Sequence, residues 1–295
     1  MTPPNTPVKT WIMALRPKTL PAGAAPVILG VALAYGSGIH VPTALCTLVC
    51  CLLLQAGANL ANDYFDSRHG VDGDDRLGPI RVTQAGLVAP GKVRASFLFC
   101  FGLALLLGAG LALRGGAGIV AVGLAALCAA YLYTGGPRPL SYMGLGELLA
   151  FVFFGPVAVA GTFYLQTLSL SWRAVFAGAG PGFLAALLMS VNNLRDIASD
   201  MRTGKRTVAV LLGESRARLF SLALLGAACI VPAAYLCFYP GSPAVLLAPL
   251  SALLFFRDFL RVARGPLDAR LNLSLAATGK YLFVYSVLFS AGVIL

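Results

Sequence analysis

Two short stretches of the chain carry most of the side chains that could do chemistry at a metal ion or a phosphate. The first reads Gln55-x3-Asn59-x2-Asn62-Asp63-x2-Asp66-x5-Asp72, and the second reads Asn192-Asn193-x-Arg195-Asp196-x3-Asp200. Each contains an Asn followed four residues later by an Asp. On a helix that spacing puts both on one face, so positions 55, 59, 62 and 66 form one polar stripe and 192, 196 and 200 another. Carboxylate and amide oxygens are hard ligands suited to Mg²⁺, which is commonly shared with substrate phosphates. Asp63, Asp66, Asp72, Asp196 and Asp200 are the candidate metal ligands, with the amides of Asn62 and Asn192 on the same two stripes. Arg81, Arg195, Lys205 and Arg206 would neutralise the remaining charge of a diphosphate. Metal-assisted C–O cleavage with diphosphate leaving is the chemistry this set fits, carried by Asn62, Asp66, Arg195 and Asp196. Asp74, Asp75 and Asp268 read as solvated loop acids, since nothing fixes them on a shared face. His40 and His69 have no sequence partner for general-base work.

The elements that must position these groups are set by composition. Of 295 residues, 58% are hydrophobic and 11% charged, against about a quarter charged in a soluble domain. Apolar segments run at about 20–36, 43–61, 95–113, 117–134, 145–165, 174–193, 217–238, 243–260 and 276–295. Each is of the length a bilayer crossing needs, and each crossing must be helical to satisfy its backbone in lipid. With the N-terminus inside, every Lys and Arg except Arg114 and Arg173 falls on the inner side, the bias expected of cytoplasmic loops. All eleven acids fall there too. The expected fold is therefore all-α: a polytopic membrane bundle of nine transmembrane helices, N-in and C-out, forming a single domain over 1–295. Residues 1–18 would be a cytoplasmic leader, and 62–94 and 194–216 the cytoplasmic loops of the site. The net charge of +11 is met by an anionic leaflet, so no nucleic acid is called for. The seven cysteines lie in or beside apolar runs without a Cys-x-x-Cys pair and pack as small hydrophobes. Intramembrane carboxylates also mark ion paths, which makes a cation-coupled transporter the alternative from another class. Transporters usually set such groups at the midplane in broken helices, whereas these cluster at one face beside Arg and Lys.

Asn62-Asp-Tyr-Phe-Asp66 with Asp72, and Asn192-Asn-Leu-Arg-Asp196-x3-Asp200, resemble the paired aspartate motifs of the UbiA superfamily of intramembrane prenyltransferases. Further strings resemble its naphthoate branch: Arg16-Pro-Lys-Thr-Leu-Pro21, Gly70-Val-Asp72, Arg76-Leu-Gly-Pro-Ile-Arg81, Tyr133-Thr-Gly-Gly-Pro137, Gly144-Leu-Gly-Glu147 and Gly204-Lys-Arg-Thr207. The third acid of the first motif comes at Asp72, with Gly70 at the usual position, a spacing shared with that branch. A Tyr-Pro-x-x-Lys-Arg segment after the fourth span is missing, which counts against 4-hydroxybenzoate as acceptor. The resemblance implies a UbiA-like fold and Mg²⁺-dependent transfer of a polyprenyl group from polyprenyl diphosphate to 1,4-dihydroxy-2-naphthoate. Diphosphate and CO₂ would be lost and demethylmenaquinol formed in a bacterial cytoplasmic (inner) membrane, with the site facing the cytoplasm. Another aromatic acceptor, such as 4-hydroxybenzoate or homogentisate, is the alternative within the family. Arg16, Lys18 and Gln84 are the candidates for holding the acceptor.

Overall fold

The computed structural model describes residues 7–17, 19–68 and 77–295. Its helices are α1 (Val8–Leu15), α2 (Leu20–Leu33), α3 (Val41–Arg68), α4 (Pro90–Gly115), α5 (Ala117–Leu132), α6 (Gly146–Phe154) and α7 (Pro156–Thr167). They continue as α8 (Trp172–Arg195), α9 (Ile197–Arg202), α10 (Val208–Leu212), α11 (Glu214–Phe238), α12 (Leu247–Leu250), α13 (Phe256–Arg264) and α14 (Leu271–Ile294). No strand occurs among the described residues. Proline sits in the first turn of α2, α4 and α7, where its missing N–H costs no helical bond.

Every apolar segment read from the sequence falls on helix. Among the described residues, seven helical stretches are long and apolar enough to cross a membrane, while α2 and α5 are shorter apolar helices. The 145–165 segment divides at Gly155 into α6 and α7. A Cβ at Gly155 would lie 2.6 Å from the Gly178 carbonyl oxygen and the Gly182 Cα. The bend therefore rests directly on the backbone of α8, as small residues allow in membrane bundles. The 243–260 segment is likewise not one α-helix: 3₁₀ turns at Pro243–Leu246 and Ser251–Phe255 flank α12. The stretches read as site loops, 62–94 and 194–216, include helix. Asn62–Arg68 complete α3, Pro90–Arg94 open α4, and α9 and α10 occupy much of the second. Within the expected leader, Val8–Leu15 is helical and buries Ala14.

α8 is the most buried of the long spans and packs against α6, α7, α11 and α14. Leu184, Leu187, Val191 and Leu194 join Tyr281, Tyr285 and Phe289 of α14 in the larger core. A smaller core gathers Leu60, Ala61 and Tyr64 of α3, Phe97 of α4 and Ala14 of α1 around Val82. Val82 ties the connection between α3 and α4 into that core, which is what places Arg81. Outward-facing apolar side chains such as Leu113, Phe99 and Leu253 stay exposed, as a lipid-facing surface requires.

Candidate functional site

α3 runs unbroken through Asn62 and Asp66, one turn apart. Arg81 reaches in from the connection after it. Its Nη1 donates to Asn62 Oδ1 at 2.8 Å and its Nη2 forms an ion pair with Asp66. Asp66 is 1% and Arg81 6% exposed. A buried pair of this kind is costly to break, about 3–5 kcal/mol when one partner is removed. Lys205 adds its Nζ 3.7 Å from Asp66 Oδ1 and 5.4 Å above the Tyr142 ring.

Asp63, read from the sequence as a metal ligand, is engaged with the backbone of the connection after α3. Its two oxygens accept the Val82 and Thr83 backbone N–H groups, each at 3.0 Å. One residue beyond Asn62 lies about 100° further round a helix, and Asp63 turns both oxygens to the connection after α3 rather than to Arg81. It clamps the turn that presents Arg81. The stripe divides similarly at Asn59, whose Nδ2 donates to Leu15 O and Thr19 Oγ1 and so holds the turn after α1.

The second helix end is jointed. α8 stops at Arg195, and Asp196 (φ −93°, ψ 7°) leads into α9. Asp196 N–H still donates to Asn192 O at 3.2 Å, and Asp200 N–H to Asp196 O at 2.8 Å, so the expected face persists across the joint. Arg195 is 2% exposed. It donates to Asp196 Oδ1 at 2.8 Å, Asn192 Oδ1 at 3.0 Å and Asn272 Oδ1 at 2.7 Å. Asn272 in turn donates to Leu77 O at 2.7 Å, tying α14 and the second cluster to the connection that carries Arg81.

Electrostatics joins the two ends. Burial pushes the Asp200 carboxyl up to about 7, against the pull of Lys205 and a Thr207 hydrogen bond; the Asp196 and Asp66 charges push the same way as burial. Burial, then Asp66 and Asp200, push the Tyr142 phenol up to about 12. Asp66, Asp196 and Asp200, from two helix ends, therefore share one field. Mutually repelling hard oxygens are the donor set a divalent cation fits. Among the described residues no three such side chains converge on one point; Asp66 is paired with Arg81 and Asp196 with Arg195.

Asp72 and Lys18 lie outside the described residues. Arg206 is exposed and brings its backbone N–H, not its side chain, to Tyr142 O at 3.2 Å. Gln84 is exposed on the turn beyond Thr83, and Arg16 is half-buried in the left-handed turn closing α1. Asn272 escaped the sequence reading. Its signal was a lone amide just ahead of the final apolar run, on the same side as both motifs. Asn193 was visible inside the motif, but not its bond to Glu147 Oε1 at 3.0 Å.

The UbiA prenyltransferase family profile matches residues 24–290. A relative from Mycobacterium tuberculosis, 1,4-dihydroxy-2-naphthoate octaprenyltransferase, is 40% identical over 74% of this chain and 75% of its own. The Escherichia coli protein of the same name is 40% identical over 74% of this chain and 73% of its own. Among solved structures, a UbiA homolog from Archaeoglobus fulgidus bound to GPP and Mg²⁺ aligns over 97% of this chain and 99% of its own. The TM-score there is 0.68 at 16% identity, a likeness of fold. Together with seven helices able to cross a bilayer, these matches make the chain an integral membrane protein that belongs to the UbiA prenyltransferase family.

Proposed function

We propose that the chain transfers a polyprenyl group from polyprenyl diphosphate to 1,4-dihydroxy-2-naphthoate, releasing diphosphate and CO₂ and giving demethylmenaquinol. The observation that carries this reading is the 40% identity, over three quarters of the chain, to two proteins bearing that activity in their names. The shared field of Asp66, Asp196 and Asp200 supports it, since a bound polyanion with its metal needs that setting. Mg²⁺ is the cofactor of this reading. Asp66, Asp196 and Asp200 would hold it with Asn62 and Asn192, and Asp72 stays in the set. When bound, the cation stabilises the charge that develops on the diphosphate as the C–O bond breaks.

The protein's own groups do the rest. Arg81 and Arg195 are nearly fully buried, Arg81 held by Asn62 and Asp66 and Arg195 by Asn192, Asp196 and Asn272. Planar guanidinium groups held this way suit bidentate phosphate binding. Lys205 adds a point charge at the same place. Burial keeps water from the allylic carbocation, which would otherwise be hydrolysed. Tyr142 offers a ring face beside Lys205, and such faces stabilise cations. Arg16, Lys18 and Gln84 remain the candidates for the acceptor's carboxylate, and Arg206 stands at the outer edge.

The same proposal includes nine crossings, α2 and α5 among them, in one domain with the N-terminus in and the C-terminus out. The site would face the cytoplasm from a bacterial inner membrane, with the leader and the connections after α3 and α8 on that side. Membranes supplied with polyprenyl diphosphate, Mg²⁺ and a panel of naphthoate, 4-hydroxybenzoate and homogentisate acceptors test the reading. Prenylation of the naphthoate is expected, and prenylation of a different ring only would overturn the acceptor.

A further inference from the structure

Glu147 opens α6 at the end of the bundle that carries both motifs, yet nothing so far gives it a task. It is 4% exposed. One oxygen, Oε1, accepts from Asn193 Nδ2 at 3.0 Å. The other, Oε2, is buried without a hydrogen-bond partner among the described residues. A buried carboxylate oxygen left in that state is costly, and native structures satisfy such groups unless another molecule is meant to do so. The first turn of a helix favours a negative charge, which offsets part of the cost of burying the carboxylate.

Its surroundings point to a ligand rather than to packing. Gly146, the preceding residue, lies against the Tyr133 hydroxyl: a Cβ there would be 3.1 Å from it. Among the described residues that hydroxyl donates to the thioether of Met189, at 3.1 Å, a weak acceptor. It stands in the combined fields of Glu147, Asp66, Asp200 and Arg81, and a Cβ at Gly135, two residues on, would lie 2.8 Å from the ring of Phe65, the neighbour of Asp66. Thr134 Oγ1 and Ser141 Oγ, on the connection between α5 and α6, are likewise buried without partners among the described residues. Ser141 is tied to the same place by its N–H, which donates to Tyr133 O at 2.9 Å. One wall beside the cluster thus presents unsatisfied polar atoms on an otherwise apolar bundle.

We propose that Glu147, oriented by Asn193, receives a ring hydroxyl of the aromatic acceptor and takes its proton as the new C–C bond forms. This deepens the acceptor reading above and rests on it. In the step, the C–O bond to diphosphate breaks and its electron pair leaves with the diphosphate. A π pair of the ring carbon adjacent to the hydroxyl-bearing carbon forms the bond to the prenyl carbon. The hydroxyl's O–H pair becomes the second bond of a ring carbonyl, and its proton passes to Glu147 Oε2. No oxidant or reductant enters. Asn193 acts through Glu147, as a positioning residue.

The test uses the full chain in lipid nanodiscs with three acceptors: 1,4-dihydroxy-2-naphthoate and its two monomethyl ethers. Glu147→Gln keeps the volume and an acceptor for Asn193, but presents N–H groups where Oε2 stood. Loss of proton acceptance should lower kcat/KM for the free acceptor by about a hundredfold, the low end of acid–base contributions. Polyprenyl diphosphate binding should stay unchanged. With one of the two ethers, wild type and variant should turn over equally, because no proton remains to be taken. A variant within about twofold of wild type on the free acceptor overturns the proposal. So does an equal loss on all three acceptors, or weakened donor binding, since either marks a structural role. If Glu147→Gln does not accumulate, Glu147→Asp, which withdraws the oxygen by one methylene, is held to the same acceptor-selective pattern. Wild type inactive on every phenolic acceptor overturns the acceptor reading and this proposal together. Wild type active with the variant equally active overturns only Glu147.

Discussion

The two acidic helix ends present the same Asn-x3-Asp pattern and hold their arginine in opposite ways. At the end of α3, the helix is straight and the base is borrowed: Arg81 comes from a connection that Asp63 clamps through two backbone N–H bonds. At the end of α8, the helix is jointed at Asp196 and the base is local: Arg195 lies within the motif and is braced by Asn272 from α14. A borrowed base depends on the turn that delivers it, whereas a local one depends on its own helix and one brace. The two clusters should therefore respond differently to loss of a carboxylate.

Asp66→Ala should give the largest effect, a loss of prenyl transfer of at least about a thousandfold, as for removal of a principal electrostatic contributor. The same change removes the carboxylate that balances the charges of buried Arg81 and Lys205, so thermal stability should fall by about 3–5 kcal/mol. Asp196→Ala should cost comparable activity but less stability, because Arg195 keeps Asn192 and Asn272 as partners. Assays at saturating Mg²⁺ and melting in nanodiscs measure both. Equal destabilisation would erase the contrast between borrowed and local bases. Asp63→Asn should raise the KM for polyprenyl diphosphate roughly thirtyfold, the equivalent of about 2 kcal/mol for a compromised buried hydrogen bond. It should leave the Mg²⁺ concentration for half-activity in place; a shift in that midpoint would return Asp63 to the ligands. Asn272→Ala should reduce turnover about tenfold, the value of one charge-assisted bond, with the connection after α3 loosened as well. Hydrogen exchange at Gly78–Val82 reads that loosening.

The smallest effect is one of pH. Asp200 holds its proton up to about pH 7, against about 4 for an unfolded Asp. The folded chain without metal therefore binds an extra proton between these values and loses relative stability as pH rises through them. A divalent cation needs the carboxylate free and releases that proton. Mg²⁺ affinity should rise with pH to about 7 and then level, and Asp200→Asn should flatten the curve. An unchanged slope in that variant assigns the proton elsewhere.

Much of this was legible in the chain because helices are local. Asn62 with Asp66, and Asn192 with Asp196 and Asp200, follow from a four-residue period, and the apolar runs located the helices that carry them. What escaped depends on partners far away in sequence. Asp63 looks like any other acid of its motif until Val82 and Thr83 fold back onto it. Arg206 sits beside Lys205, yet the turn after α9 points one inward and leaves the other exposed. Asn272 meets Arg195 and Leu77 only through packing of α14, and the division at Gly155 follows from backbone contact with Gly178 and Gly182. No periodicity encodes these.

The central claim is that both helix ends build one site, and a double-variant cycle tests it most directly. Mg²⁺-dependent binding of polyprenyl diphosphate would be measured for wild type, Asp66→Asn, Asp200→Asn and the pair. Residues that hold one ligand as a unit are strongly non-additive, so the double variant should bind about as weakly as the worse single variant. Losses that multiply would mean that the two clusters act independently and would contradict a single shared site.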